Sequence, residues 1–198
     1  MAGGEDRPIN EVRRRDKAVT EEDWIKAFLH SGAWGALATV AEGQPFIHTS
    51  LYVYDEGAHA IYLHTAREGR TRSNLEGDGR VCFSVAEMGR ILPDEAAAEF
   101  SVEYAGVTVF GGGSVVDDDE EKRRALQLLM DKYAPQLKPE RDYRPPDQEE
   151  LDRTSVLRVE IASWSAKKNE KAADFPGAYR YEERGRRSPF APGGPGQR

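Results

Sequence analysis

Residues 33–65 read AWGALATVAEGQPFIHTSLYVYDEGAHAIYLHT, and their pattern decides the fold class. Ala33–Val40 is a run of small and apolar residues, and Phe46–Tyr54 is rich in aromatic and β-branched ones. Between them Glu42-Gly43-Gln44-Pro45 supplies turn chemistry, so the two runs read as a β-hairpin. Asp55-Glu56-Gly57 makes a second turn, and Ala60–Thr65 reads as a third strand.

Working outward, Arg70 to Leu75 reads as a short helix and Arg80–Val85 as a fourth strand. Residues 87–100 (EMGRILPDEAAAEF) contain Pro93 and no clear period, which predicts a loop or lid. Ser101–Phe110 reads as a fifth strand, bending through Gly111-Gly112-Gly113 into a sixth at Ser114–Val116. Upstream, Thr20-Glu21-Glu22-Asp23 fits a capping box opening a helix over 21–31, with Trp24, Ile25, Phe28 and Leu29 as its apolar stripe and Gly32 as its stop. Downstream, acids at 117–121 precede Lys122-Arg123-Arg124, matching the helix macrodipole, and Ala125, Leu126, Leu129, Met130 and Tyr133 form a buried stripe. A polar, Pro-rich connection over 135–154 leads to a last strand, Ser155–Trp164. Successive short strands without repeating strand–helix units predict a mainly β, α+β antiparallel barrel with flanking helices.

The chain has 198 residues, with 28 Lys+Arg against 35 Asp+Glu. That length suits one domain, expected over 19–181, between polar tails at 1–18 and 182–198 expected to be disordered. One cysteine, Cys82, excludes an internal disulfide and a cysteine zinc site. The four histidines (His30, His48, His59, His64) lack metal-ligand spacing, so no metal is expected. With no apolar run of spanning length and no signal-like start, the expectation is a soluble, cytoplasmic protein. The acidic body, residues 21–164, argues against a duplex-DNA-binding core, and the lack of a spanning apolar run against a membrane, so neither is an expected partner.

Inside that acidic body, residues 31–121 hold only Arg67, Arg70, Arg72, Arg80 and Arg90 as cations. Three of them fall in the segment Tyr62-Leu63-His64-Thr65-Ala66-Arg67-Glu68-Gly69-Arg70-Thr71-Arg72-Ser73-Asn74, between a strand end and a helix start. Gly69 permits a tight turn; guanidinium forks, hydroxyls and free helix amides together suit a phosphate monoester.

The order Leu37-Ala38-Thr39, Gly43-Gln44-Pro45-Phe46, Leu51-Tyr52-Val53-Tyr54, Ile61 to Ala66 with Gly69-Arg70, then Val81-Cys82-Phe83 resembles the FMN-binding split-barrel (pyridoxamine 5′-phosphate oxidase-like) superfamily. Within it, the His-Thr-Ala-x-x-Gly-Arg segment and the Phe110-Gly111–acidic-helix pattern most resemble the nitroimidazole reductase type. The resemblance covers residues 20–168. It implies an antiparallel split barrel, a homodimer with FMN at the interface, and an oxidoreductase passing electrons from a reduced nicotinamide or similar donor to a small acceptor such as a nitroaromatic or quinone. The phosphate would be held within the segment of His64, Thr65, Arg67, Gly69, Arg70, Thr71 and Arg72, by Arg70 and Arg72 with Arg67 assisting. His48, Thr49, Ser50 and Leu51 would run along the flavin ring, and Trp164 would cover the cofactor. Where relatives carry Gly-Arg-Lys this chain has Gly69-Arg70-Thr71, with Arg72 or Arg67 to replace the charge. Deazaflavin, haem with His48 or His64 as axial ligand, and a non-catalytic flavin-binding module are the alternatives. Pyridoxamine phosphate oxidation itself is disfavoured, because the basic residues after Trp164 (Lys167, Lys168, Lys171, Arg180) lie in a polar, turn-rich context.

Overall fold

The computed structural model describes residues 7–181. The strands are β1 (Ala18–Val19), β2 (Gly35–Ala41), β3 (Gln44–Ser50), β4 (Val53–Asp55), β5 (Ala60–Ala66), β6 (Arg80–Leu92), β7 (Ser101–Val115), β8 (Thr154–Asn169) and β9 (Tyr179–Arg180). The helices are α1 (Glu22–Ser31), α2 (Arg70–Gly77), α3 (Asp119–Tyr133) and α4 (Gln148–Asp152). The strands form one antiparallel sheet in the order β3-β2-β6-β7-β8-β5-β4, with β1 added to β8 and β9 to β6. The sheet curls without closing, so the expected antiparallel, mainly β architecture with a few helices holds.

The split lies where the predicted single strand 46–54 breaks. β3 pairs β2 at one edge, and β4 pairs β5 at the other. Leu51 and Tyr52 carry the chain across. Tyr52 is fully buried and donates its hydroxyl to the Leu29 carbonyl at 2.7 Å. The Tyr133 hydroxyl accepts from the Tyr52 amide and lies within 3.0 Å of the Ala33 and Tyr52 carbonyls, so one side chain replaces the lost strand partners.

One face of the sheet encloses the main core, Leu37, Ile61, Leu63, Phe83, Val107, Val109, Leu157 and Val159 among them. α1 inserts Ile25, Phe28 and Leu29 into it, and α2 inserts Leu75. α3 instead covers the other face of β4, β5 and β8, where Ala125 and Leu129 meet Val53, Ala60, Tyr62 and Val156.

Several boundaries differ from expectation. The Thr20 capping box does not form: Glu21 is the N-cap of α1, and its carboxylate accepts the Thr20 amide instead. Residues 87–92 are not loop but the second half of β6; the connection shrinks to residues 93–100, with one 3-10 turn at Ala97–Glu99. The strand continues because an extra residue between Met88 and Ile91 is absorbed as a bulge, which hides the alternation in the sequence. β7 runs unbroken through Gly111–Gly113, with the register shift between Phe110 and Gly111 taken up by β8. β8 itself extends five residues beyond Trp164, to Asn169. The acids before α3 do structural work: Asp118 caps the Glu121 amide, and Glu121 bonds Tyr62 and Arg158. Of the segment expected as an N-terminal tail, Arg15–Lys17 form a 3-10 turn and Ala18 leads into β1. Residues 1–6 and the expected tail at 182–198 lie outside the described residues.

Candidate functional site

The strand–turn–helix segment is built as its sequence suggests. β5 ends at Ala66, and Gly69 adopts φ 155°, ψ 162°, a region essentially reserved for glycine. α2 starts immediately after, and no side chain caps its first turn. Uncapped amides at a helix start carry the positive end of the dipole.

The three arginines do not point to one place. Arg67 and Arg72 line a cavity of about 280 Å³, together with Lys122 of α3 and Thr154 and Ser155 of β8. Arg72 is fixed there, donating Nε to Glu76 at 2.8 Å and Nη1 to the Ser155 hydroxyl at 2.8 Å. Arg67 makes no hydrogen bond or ion pair with the described residues, so its donors remain open. The exposed carboxylates of Asp117 and Asp152 share the rim, where water screens them. Arg70 leaves on the opposite side of α2 and stacks on the Phe46 ring at 5.4 Å.

That side leads to β3. Cross-strand pairing of Leu37 with His48 and Thr39 with Phe46 places Phe46, His48 and Ser50 on the core-facing side. α2 is tied to the same place, with Asn74 Nδ2 bonding the Thr39 hydroxyl at 2.9 Å. His48 Nδ1 is buried and has no hydrogen-bond partner, a condition that costs about 1–3 kcal/mol unless something else completes it. Leu51, at the crossing, is 44% exposed.

The remaining expected residues are distributed as follows. Thr65 lies opposite Ser155, on the side of the Arg72 cavity, whereas His64 alternates to the other face and borders a separate, apolar cavity beside α3. Gly69 and Thr71 frame the turn, Thr71 being buried. Thr49 is exposed on the outward side of β3. Trp164 is not at the arginine cavity. It sits nine residues along β8 from Ser155, roughly 30 Å at strand rise, with its ring edge-on to His59 at 5.0 Å. Glu103 pairs with Arg90 at 2.6 Å.

Sequence reading missed Lys122, Thr154 and Ser155. Nothing local marks them; they reach the turn only because β8 pairs with β5 and α3 packs behind both.

These residues fit a phosphate: an open guanidinium, a fixed one, an amine and two hydroxyls line one cavity beside the start of α2. The unpartnered His48 nitrogen fits a polar ring edge along β3. An open antiparallel barrel with an anion cradle between a strand and a short helix defines a class of cofactor-binding protein. The chain belongs to the pyridoxamine 5′-phosphate oxidase-like family of FMN-binding split barrels, whose pattern matches residues 21–168. No curated protein sequence matches significantly. Among solved structures, the flavocytochrome Anf3 from Azotobacter vinelandii is similar at 21% identity and a TM-score of 0.72, over 88% of this chain and 77% of that one. An FAD- and haem-binding protein from Mycobacterium smegmatis follows at 22% identity and a TM-score of 0.71, over 78% and 74%. A candidate 5-nitroimidazole antibiotic resistance protein from Bacteroides thetaiotaomicron matches at 18% and 0.63, over 77% and 90%. At these identities the likeness is one of fold.

Proposed function

We propose that the protein is an FMN-dependent oxidoreductase, passing electrons from a reduced nicotinamide or similar donor to a small acceptor such as a nitroaromatic or quinone. One observation carries this reading: Arg67, without a hydrogen bond or ion pair among the described residues, lines a cavity of about 280 Å³ beside α2 together with Arg72, Lys122 and Ser155. Bound flavin would supply the electron-transfer chemistry, which belongs to the cofactor. The chain's own residues bind and orient: Arg67 and Arg72 hold the phosphate, and His48 gives Nδ1 to the ring edge. The side chains of β3 keep water from one side of it.

We further infer that a second copy completes the site. None of residues 48–51 lines the arginine cavity, and Trp34, Ile47 and Leu51 stand 65%, 64% and 44% exposed beside β3. The outward face of the sheet, through Ala38, Ile47, Cys82 and Phe110, is uncharged across paired positions. A homodimer with the cofactor at its interface accounts for both features. A haem-binding reading is favoured by the same unpartnered His48 nitrogen, the only buried histidine nitrogen among the described residues without a partner.

Titration of the purified protein with FMN tests the proposal, followed by absorbance and flavin fluorescence. Saturable quenching and a shifted visible band are expected, with NADH or NADPH then bleaching the bound flavin. Absence of binding at micromolar FMN, or a Soret band on haem addition with no flavin response, sinks it.

A further inference from the structure

At the far end of the long β6–β7 hairpin lies a second cavity, of about 570 Å³. Tyr104 on β7 borders it, while Val115 at the other end of the same strand borders the arginine cavity, on the order of 35 Å away at strand rise. The two sites are therefore separate within a protomer.

The walls combine aromatic surface with segregated charge. Phe100, Tyr104 and Phe175 provide rings. Arg14, Lys17 and Lys171 bring cations from the N-terminal segment and the chain after β8, and Asp94 and Glu99 bring carboxylates from the 93–100 connection. Arg14 is held by Asp16 through two hydrogen bonds and the Lys17 amine lies 4.0 Å from the same carboxylate, which leaves Lys171 as the cation of these walls without a hydrogen bond or ion pair among the described residues.

The cavity is also held in shape. Asn169, 5% exposed, accepts from Lys17 Nζ at 2.7 Å and donates to the Val102 carbonyl at 2.7 Å, fixing one cation against β7. The segment after β8 is clamped by Arg90, which donates to the carbonyls of Lys171, Ala172 and Ala173 while pairing with Glu103. Glu103 in turn accepts the Lys171 amide at 3.0 Å. The β6 bulge beside Gly89 brings Arg90 onto Glu103, and a Cβ on Gly89 would lie 2.8 Å from the Glu103 Cβ. The backbone of Lys171 is thus fixed while its amine makes no hydrogen bond or ion pair with the described residues. Walls ordered in advance reduce the entropy a ligand loses on binding.

We propose that this cavity binds a planar aromatic ligand bearing an anionic arm and an exocyclic amine, the chemistry of an adenine nucleoside monophosphate. The rings of Phe100, Tyr104 and Phe175 take the base, Lys17 and Lys171 take the phosphate, and Asp94 or Glu99 accepts from an exocyclic amine. Its size suits such a ligand.

Isothermal titration of the full chain with adenosine 5′-monophosphate is the test. Adenosine, ribose 5-phosphate and inorganic phosphate serve as truncated probes. Binding of the monophosphate is expected, with adenosine and ribose 5-phosphate each at least tenfold weaker. Lys171→Ala lowers its affinity at least tenfold, and so does Phe100→Ala. Both side chains are exposed, and unchanged melting curves will show that the fold persists. Arg67→Ala and saturating FMN leave the affinity unchanged. No heat at millimolar monophosphate overturns the proposal. So does binding indifferent to both Lys171→Ala and Phe100→Ala. Binding abolished by Arg67→Ala or competed by FMN also overturns it, since it would assign the ligand to the α2 turn. The outcomes with the monophosphate, its truncated probes, Lys171→Ala and Phe100→Ala do not depend on whether FMN binds.

Discussion

The Lys132 amine is buried without a hydrogen-bond partner, 3.7 Å from the centroid of the Tyr52 ring and 5.3 Å from that of Tyr133. Cation–π attraction offsets part of its lost hydration, yet burial still lowers its pKa to about 8. A lysine with a lower pKa folded than unfolded binds fewer protons in the native state, so it destabilises below pH 8. That penalty fades as pH rises from 8 toward 10.5. Lys132→Met should therefore stabilise the protein by roughly 1–2 kcal/mol at pH 7, a discounted figure because the stem reaches solvent. Urea melts at pH 7 and pH 10 will check this; an equal gain at both would contradict it. At the arginine cavity, Arg67→Ala and Arg72→Ala should each weaken FMN binding about 10- to 100-fold, the worth of a charged hydrogen bond. Arg70→Ala, its guanidinium turned to Phe46, should cost less than tenfold, and fluorescence titration will rank the three. The arginine cluster was legible because its members are neighbours in sequence, and glycine chemistry marked the turn between them. The direction each arginine takes was not, since Ser155 and Phe46, which draw Arg72 and Arg70 apart, come from distant strands.

Elements were legible where the apolar period stayed regular. α1, β5, α2 and α3 follow their patterns, but β6 and β7 were cut short because each bulge or glycine breaks the alternation that marks a strand. The glycine run shows what the pattern conceals. At Gly111 a Cβ would lie 1.8 Å from the Glu160 carbonyl oxygen, whereas at Gly112 nothing lies within 4 Å. Gly111 is required by close backbone approach at the β7–β8 register shift. Gly111→Ala should cost at least about 2 kcal/mol, and Gly112→Ala should stay within about 0.5 kcal/mol of the parent. Denaturant midpoints will separate them. Equal losses at both positions would falsify the assignment. The break between β3 and β4 was invisible for another reason: Tyr52 has full strand propensity, and only the Tyr133 hydroxyl, far along the chain, turns it out of the ladder.

For the whole molecule, barrel class followed from the strand succession, but strand order did not, and the outward face carries no mark in a single sequence. If that face joins two copies, Ile47→Glu should shift the protein to monomers in sedimentation velocity and weaken FMN binding at least tenfold. A monomeric variant with full FMN affinity would show that each chain holds its cofactor alone. Strand order has a consequence for synthesis. β8, residues 154–169, inserts between β7 and β5, so the β4–β5 ribbon has no neighbour in the sheet until that segment arrives. During translation β5 leaves the ribosome long before β8 and waits with an unpaired, apolar edge. The nascent chain is then a sheet in two pieces, β3-β2-β6-β7 and β4-β5, and the late strand locks them together. A ribosome stalled before β8 emerges would present both open edges to chaperones, and release of that one segment would complete the barrel.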